Sequence, residues 1–116
     1  MKFIIPGELP TMNEIIAKSK AHHMAYANMK KDYTALVKIH AKGLPSVKRA
    51  DFYITWYCKN RRKDKDNIIA GQKFILDGLV KAGVLENDGW KQIGKLIHDF
   101  EVDKENPRAE VEIKEF

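Results

Sequence analysis

The sequence holds one cysteine, Cys58, and four histidines, and it contains no apolar run of membrane-spanning length. A single cysteine cannot close an internal disulfide, so the fold must be held by its core. Cys58 itself sits in an apolar stretch and reads as a small core residue of a reducing compartment, the cytoplasm. The opening Met1-Lys2-Phe3-Ile4-Ile5-Pro6 is too short for a signal peptide, and no segment approaches the ~20 apolar residues of a membrane helix. Repeats, low-complexity tracts and flexible linkers are absent. His22-His23 and His98 lack the paired spacing of a transition-metal site and read as helix-surface and strand residues.

What is present suits one globular domain spanning residues 1–116. Hydrophobic residues make up 44% and charged residues 32%, the balance of a soluble protein with a core. The net charge is +5, from 21 Lys and Arg against 16 Asp and Glu. That excess is modest, and its distribution is more informative. Basic residues dot 18–31 and 42–49, the densest run is Lys59-Asn60-Arg61-Arg62-Lys63, and acidic residues gather from Glu101 to Glu115. A polyanion would be drawn to one side of such a molecule.

Lys2 to Pro6 reads as a short strand before a Pro/Gly turn. A helix is expected from after Thr11 or Ser19 to about Lys42, with Tyr26, Met29, Tyr33, Leu36, Val37 and His40 at helical spacing. Asp51 to Lys59 alternates, placing Phe52, Ile54, Trp56 and Cys58 on one face of a strand. A second helix is expected over about Asn67 to Ala82, with a buried stripe of Ile68, Ile75, Leu76, Leu79 and Val80 and a left-handed cap at Gly83. Two strands follow, about Lys91 to Val102 and Arg108 to Lys114, the second with Ala109, Val111 and Ile113 inward. The order β-α-β-α-β-β predicts an α/β (α+β) fold: one small domain, a mixed sheet and two main helices.

The segment with chemical content is Arg61-Arg62-Lys63-Asp64-Lys65-Asp66-Asn67, placed where a strand ends and a helix begins. Asp64 and Asp66 can face one cation, and magnesium commonly takes one or two protein carboxylates and completes its shell with water and phosphate. Arg61, Arg62, Lys63 and Lys65 beside them suit a phosphodiester backbone. Each feature also has an ordinary structural use. Asp64, Asp66 and Asn67 are good helix caps, Asn87-Asp88-Gly89 is normal turn chemistry, and Lys73 with Asp77 makes an i,i+4 ion pair. Trp56 and Tyr57 suit either base stacking or the sheet itself.

Taken in order along the chain, these segments resemble the RusA family of Holliday-junction resolvases, many of them encoded by phages and prophages. Ile4-Ile5-Pro6-Gly7-Glu8-Leu9-Pro10-Thr11-Met12-Asn13 is similar to the family's first strand and proline-rich turn with an asparagine. Arg61 to Asn67 matches its basic run followed by Asp-x-Asp-Asn. Asp77-Gly78-Leu79-Val80-Lys81-Ala82-Gly83, with Asp88 after it, matches its helix end and acidic turn, and Asn106 to Ile113 its last strand.

The resemblance implies a homodimeric endodeoxyribonuclease that cuts four-way DNA symmetrically, with Asp64, Asp66 and Asp88 binding Mg²⁺ and Lys73 as the catalytic lysine. Between Asp66 and Asp77 the chain carries three residues beyond the founding pattern, around Ile69-Ala70-Gly71. Counting forward from Asp66 therefore lands on Ala70, and counting back from Asp77 on Lys73. On one continuous helix, positions 66, 70, 73 and 77 share a stripe; a looser entry at Ile69 to Gly71 would start the helix later. Two rival readings use the same basic face: a non-catalytic nucleic-acid-binding protein, and a nuclease for flaps or forks.

Overall fold

The computed structural model describes all of residues 1–116. Lys2–Pro6 forms β1, Ala50–Cys58 β2, Ile93–Val102 β3 and Arg108–Glu115 β4. The expected element order holds, but each helical stretch is divided. Met12–Ala21 (α1) and Ala25–Ala41 (α2) precede β2, and Lys65–Ile69 (α3) and Gln72–Lys81 (α4) follow it. The first division lies at His22, whose backbone is extended.

The second division carries a packing requirement at Gly71. A Cβ on Gly71 would lie 3.0 Å from both the Leu9 Cβ and the rim of the Trp56 ring. Only a residue without a side chain lets the chain pass there without displacing either neighbour, and it does so between α3 and α4. The sequence expectation of one continuous helix from about Asn67 is thereby corrected to the looser entry.

The strands form one mixed sheet in the order β1-β4-β2-β3. β4 is antiparallel to both of its neighbours, while β2 and β3 are parallel and joined through α3 and α4. Parallel neighbours require such a crossover. In β2, Phe52, Ile54, Trp56 and Cys58 are buried as the alternation predicts. With Phe3, Ile5, Ala109, Val111 and Ile113 they join residues of α2 and α4 in a single core cluster. No helix is long and apolar enough to cross a membrane.

The buried face of α4 is wider than the expected stripe and includes Phe74. That residue meets Tyr33 of α2, ring to ring, at 5.8 Å, while Ile75 and Leu79 enter the core that the sheet lines. A helix covered on two sides buries consecutive residues, which a single-stripe reading does not anticipate. Its end is as expected: Gly83 has φ +78, its N–H donates to the Val80 carbonyl, and the Val84 N–H donates to Leu79. Those two bonds make a Schellman cap.

Gly78 lets α2 and α4 approach, since a Cβ there would stand 2.4 Å from the Val37 side chain. Gly78→Ala is therefore expected to destabilise the fold by about 1–3 kcal/mol, the usual range for overpacking. Adding Val37→Ala should recover part of that loss. Two strictly additive losses in thermal melts would show that the helices do not touch at this point.

Candidate functional site

β2 ends at Cys58, and the basic run occupies the turn that leads to α3. Asp64 stands at the N-cap position of α3, but its side chain makes no capping hydrogen bond. Asp66 accepts the Asn67 N–H through Oδ1 at 2.9 Å. Asn67 is a structural residue, because its Oδ1 accepts the Asn13 N–H at 2.9 Å and so docks the start of α1 against α3. The asparagine of the proline-rich turn and the asparagine of Asp-x-Asp-Asn, far apart in sequence, meet in this one bond.

The cations around the aspartates are not neutralising them. Lys63 reaches Glu14 at 3.4 Å, and the Lys65 ammonium lies 5.4 Å from the centre of the Phe100 ring. None of the ion pairs involves Asp64, Asp66, Asp88, Arg61 or Arg62. All five are exposed. Asp64 opens on a groove of about 460 Å³ lined also by Arg61, Lys63, Lys65, Phe100 and Glu101. Glu101 had no motif to mark it; it reaches the groove because β3 runs parallel to β2 and pairs Tyr57 with Glu101.

Asp88 lies elsewhere. It lines a second groove of about 680 Å³, bordered by Asp77, Lys30, Lys31, Lys38 and Lys81. The strand register explains the separation. Ala50 pairs with Ile93 at one end of β2 and Cys58 with Val102 at the other. Asp88 precedes β3 and so belongs to the Ala50 end, where the Gln92 carbonyl accepts the Ala50 N–H. Asp64 follows β2 and belongs to the Cys58 end. At about 3.3 Å per residue, the strand between those ends is roughly 26 Å long. Within one chain no three His, Cys, Asp or Glu side chains converge to hold a metal ion.

Lys73 lies in the first turn of α4. Its ammonium is 3.8 Å from Asp77 Oδ2, and Lys30 of α2 approaches the same oxygen at 3.8 Å. That oxygen is buried and has no hydrogen-bond partner. The expected ion pair is thus present, shared between two lysines. The break at Ala70-Gly71 also means that the stripe of 66, 70, 73 and 77 does not run through one helix.

The aromatic residues of β2 are already engaged. Trp56 is buried and its indole N–H donates to His98 Nδ1 at 2.9 Å, while Arg108 covers the Tyr57 ring at 3.7 Å. The most exposed aromatic is Trp90, 97% open to solvent beside Gly89. No sequence pattern distinguished it from a core tryptophan. Cys58 is buried, as expected, and burial pushes its thiol pKa up, so it stays protonated and inert.

His98 joins β3 to α4. Because its Nδ1 accepts from Trp56, its proton sits on Nε2 and is donated to Gln72 Oε1 at 2.9 Å. Burial lowers its pKa, and protonating Nδ1 would oppose it to the indole N–H. The unfolded chain, with an imidazole pKa near 6.5, then takes up a proton before the folded chain does. Stability is expected to fall as the pH drops below about 6.5, and less steeply in His98→Gln. Parallel melting-temperature profiles for the two proteins would show that His98 is not the group responsible.

The family profile described as "Endodeoxyribonuclease RusA" matches residues 6–114. The chain belongs to the RusA family of endodeoxyribonucleases. Comparison with individually curated proteins gives no match. RusA membership supplies the coarse activity, endonucleolytic cleavage of DNA, and covers every element from the proline-rich turn to β4.

Proposed function

We propose that this RusA-family chain is a magnesium-dependent endonuclease that resolves four-way DNA junctions by paired, symmetric cuts in recombination and repair. The observation that carries the reading is the state of Asp64 and Asp66 in a RusA-family chain. Two exposed carboxylates next to a basic run are taken up neither by ion pairs nor, in Asp64, by capping. Hard, unpaired oxygens of this kind fit a magnesium ion whose remaining positions go to water and phosphate. The lone buried Cys58 fits a reducing cytoplasmic setting.

In this reading Arg61, Arg62, Lys63 and Lys65 hold the phosphodiester backbone along the Asp64 groove. Asp64 and Asp66 supply the metal ligands of one chain. Magnesium bound there would lower the pKa of a water and polarise the phosphoryl oxygen. Lys73 adds positive charge near the phosphorus as negative charge develops there. The water oxygen bonds to phosphorus, the bond to the 3′ oxygen breaks, and the products are a 3′ hydroxyl and a 5′ phosphate.

Asp88, the third ligand by family resemblance, lines a different groove from the one on which Asp64 opens. A homodimer removes the difficulty. A two-fold axis presents the same surfaces of both subunits to each other, so the partner's Asp88 can complete each site. Two identical sites also suit the two symmetric cuts that a junction requires. Mixing Asp66→Asn with Asp88→Asn subunits should then restore cleavage at one of the two sites, although each variant alone is inactive. A mixture as inactive as its parents would place all three carboxylates in a single chain.

The substrate is tested with a panel of four-way junction, replication fork, flap and linear duplex of shared sequence. The junction should be cut fastest in Mg²⁺ and not at all in EDTA. Binding without cleavage of any substrate would favour a non-catalytic DNA-binding protein, and preference for flaps or forks would reassign the substrate.

A further inference from the structure

Trp90 has the greatest exposure of any large apolar side chain in the protein, 97%. Phe116, the next, has Arg49 over its ring at 4.8 Å. The turn that carries Trp90 is firmly built. The Gly89 carbonyl accepts from the N–H groups of both Gln92 and Ile93, and the Gln92 side chain accepts the Gly89 N–H at 3.2 Å. A hydrogen-bonded turn therefore holds an indole out in water, where its large apolar surface gains nothing until something covers it.

The surroundings indicate what covers it. Lys91 is its neighbour in sequence, and Asp88, two residues before it, lines the groove shared with Lys30, Lys31, Lys38 and Lys81. Thr34 also lines that groove, is only 8% exposed, and its hydroxyl has no hydrogen-bond partner. Asp77 already pairs with Lys30, and a nucleic-acid strand would neutralise the lysines that remain. Lysines and a rigid aromatic are what holding a phosphate and stacking its base require.

We propose that Trp90 stacks on a nucleobase exposed at the branch point, with an adjoining phosphate in the lysine-lined groove. The inference rests on the branched-DNA reading above and deepens it. Stacking needs no particular base, because every base presents a π face, so it selects an unpaired or splayed position rather than a sequence.

The test uses Asp66→Asn protein, so that the DNA stays intact, and follows tryptophan emission and junction affinity. The two tryptophans report separately, since Trp56 is buried and bonded to His98. A four-way junction should quench emission, and the quenching should vanish in Trp90→Phe. Trp90→Ala should weaken junction binding by about tenfold, while Trp90→Phe stays within about threefold. The salt dependence of Trp90→Ala binding should keep its slope, whereas Lys31→Ala with Lys38→Ala should flatten it by about two. Melting temperature should not move in Trp90→Ala. Wild-type affinity and unmoved emission in a chain that binds junctions would overturn the stacking alone. Conversion of a dimer to a monomer by Trp90→Ala would also overturn it, making Trp90 a subunit contact. Failure of the unaltered chain to bind junction, fork or duplex would overturn the nuclease reading and the stacking with it.

Discussion

Asp66→Asn should lose at least about a hundredfold in junction cleavage, about 2.7 kcal/mol of barrier, while folding and binding DNA as before. The substitution separates the two uses of this side chain. The structural use is an Oδ1 that accepts the Asn67 N–H, and an asparagine retains that acceptor. The proposed chemical use is a negative charge on a hard oxygen, which the neutral amide lacks. Asp66 takes part in no ion pair, so no cation is left uncompensated by its removal. Gel-shift affinity and thermal melts beside the cleavage rate will distinguish the roles. A collapsed melting transition, or binding lost together with cleavage, would make Asp66 structural.

The second large effect concerns Lys73. Lys73→Ala is expected to slow cleavage at least tenfold, about 1.4 kcal/mol, with little change in junction affinity. The broken helix bears on this assignment. Because α3 ends at Ile69 and α4 begins at Gln72, the extra residues form a joint between two short helices. Lys73 thus opens a helix instead of standing two turns inside one. Asp77 holds the ammonium at 3.8 Å, with Lys30 on the other side of the same carboxylate. Lys73 is the exposed partner of this pair and Lys30 stays beside the same carboxylate without it, so a purely structural Lys73 would leave the cleavage rate unchanged. Wild-type cleavage by Lys73→Ala would leave Lys63 or Lys65 to supply the positive charge.

The strands were legible because each alternates with a period of two and one face meets the core. Phe52, Ile54, Trp56 and Cys58, and Ala109, Val111 and Ile113, are buried as that pattern requires. Gly83 was legible as a helix end because a positive φ is glycine's territory. The helix break at Gly71 was only half legible. Glycine weakens a helix anywhere, and what requires one at the joint is crowding by Leu9 and Trp56, which are remote in sequence. The separation of Asp64 from Asp88 could not be read, because it depends on β3 lying parallel to β2 at the edge of the sheet. Trp90 was equally opaque: its exposure follows from a turn whose bonds involve Gly89, Gln92 and Ile93.

The most direct measurement is cleavage of a synthetic four-way junction with each strand end-labelled in turn, in Mg²⁺ and in EDTA. The expected result is a pair of nicks at symmetric positions in opposing strands, each with a 5′ phosphate, seen only with the metal and absent in Asp66→Asn. Nicks that persist in EDTA or in Asp66→Asn would contradict the account, as would the absence of cleavage by protein that binds the junction in Mg²⁺.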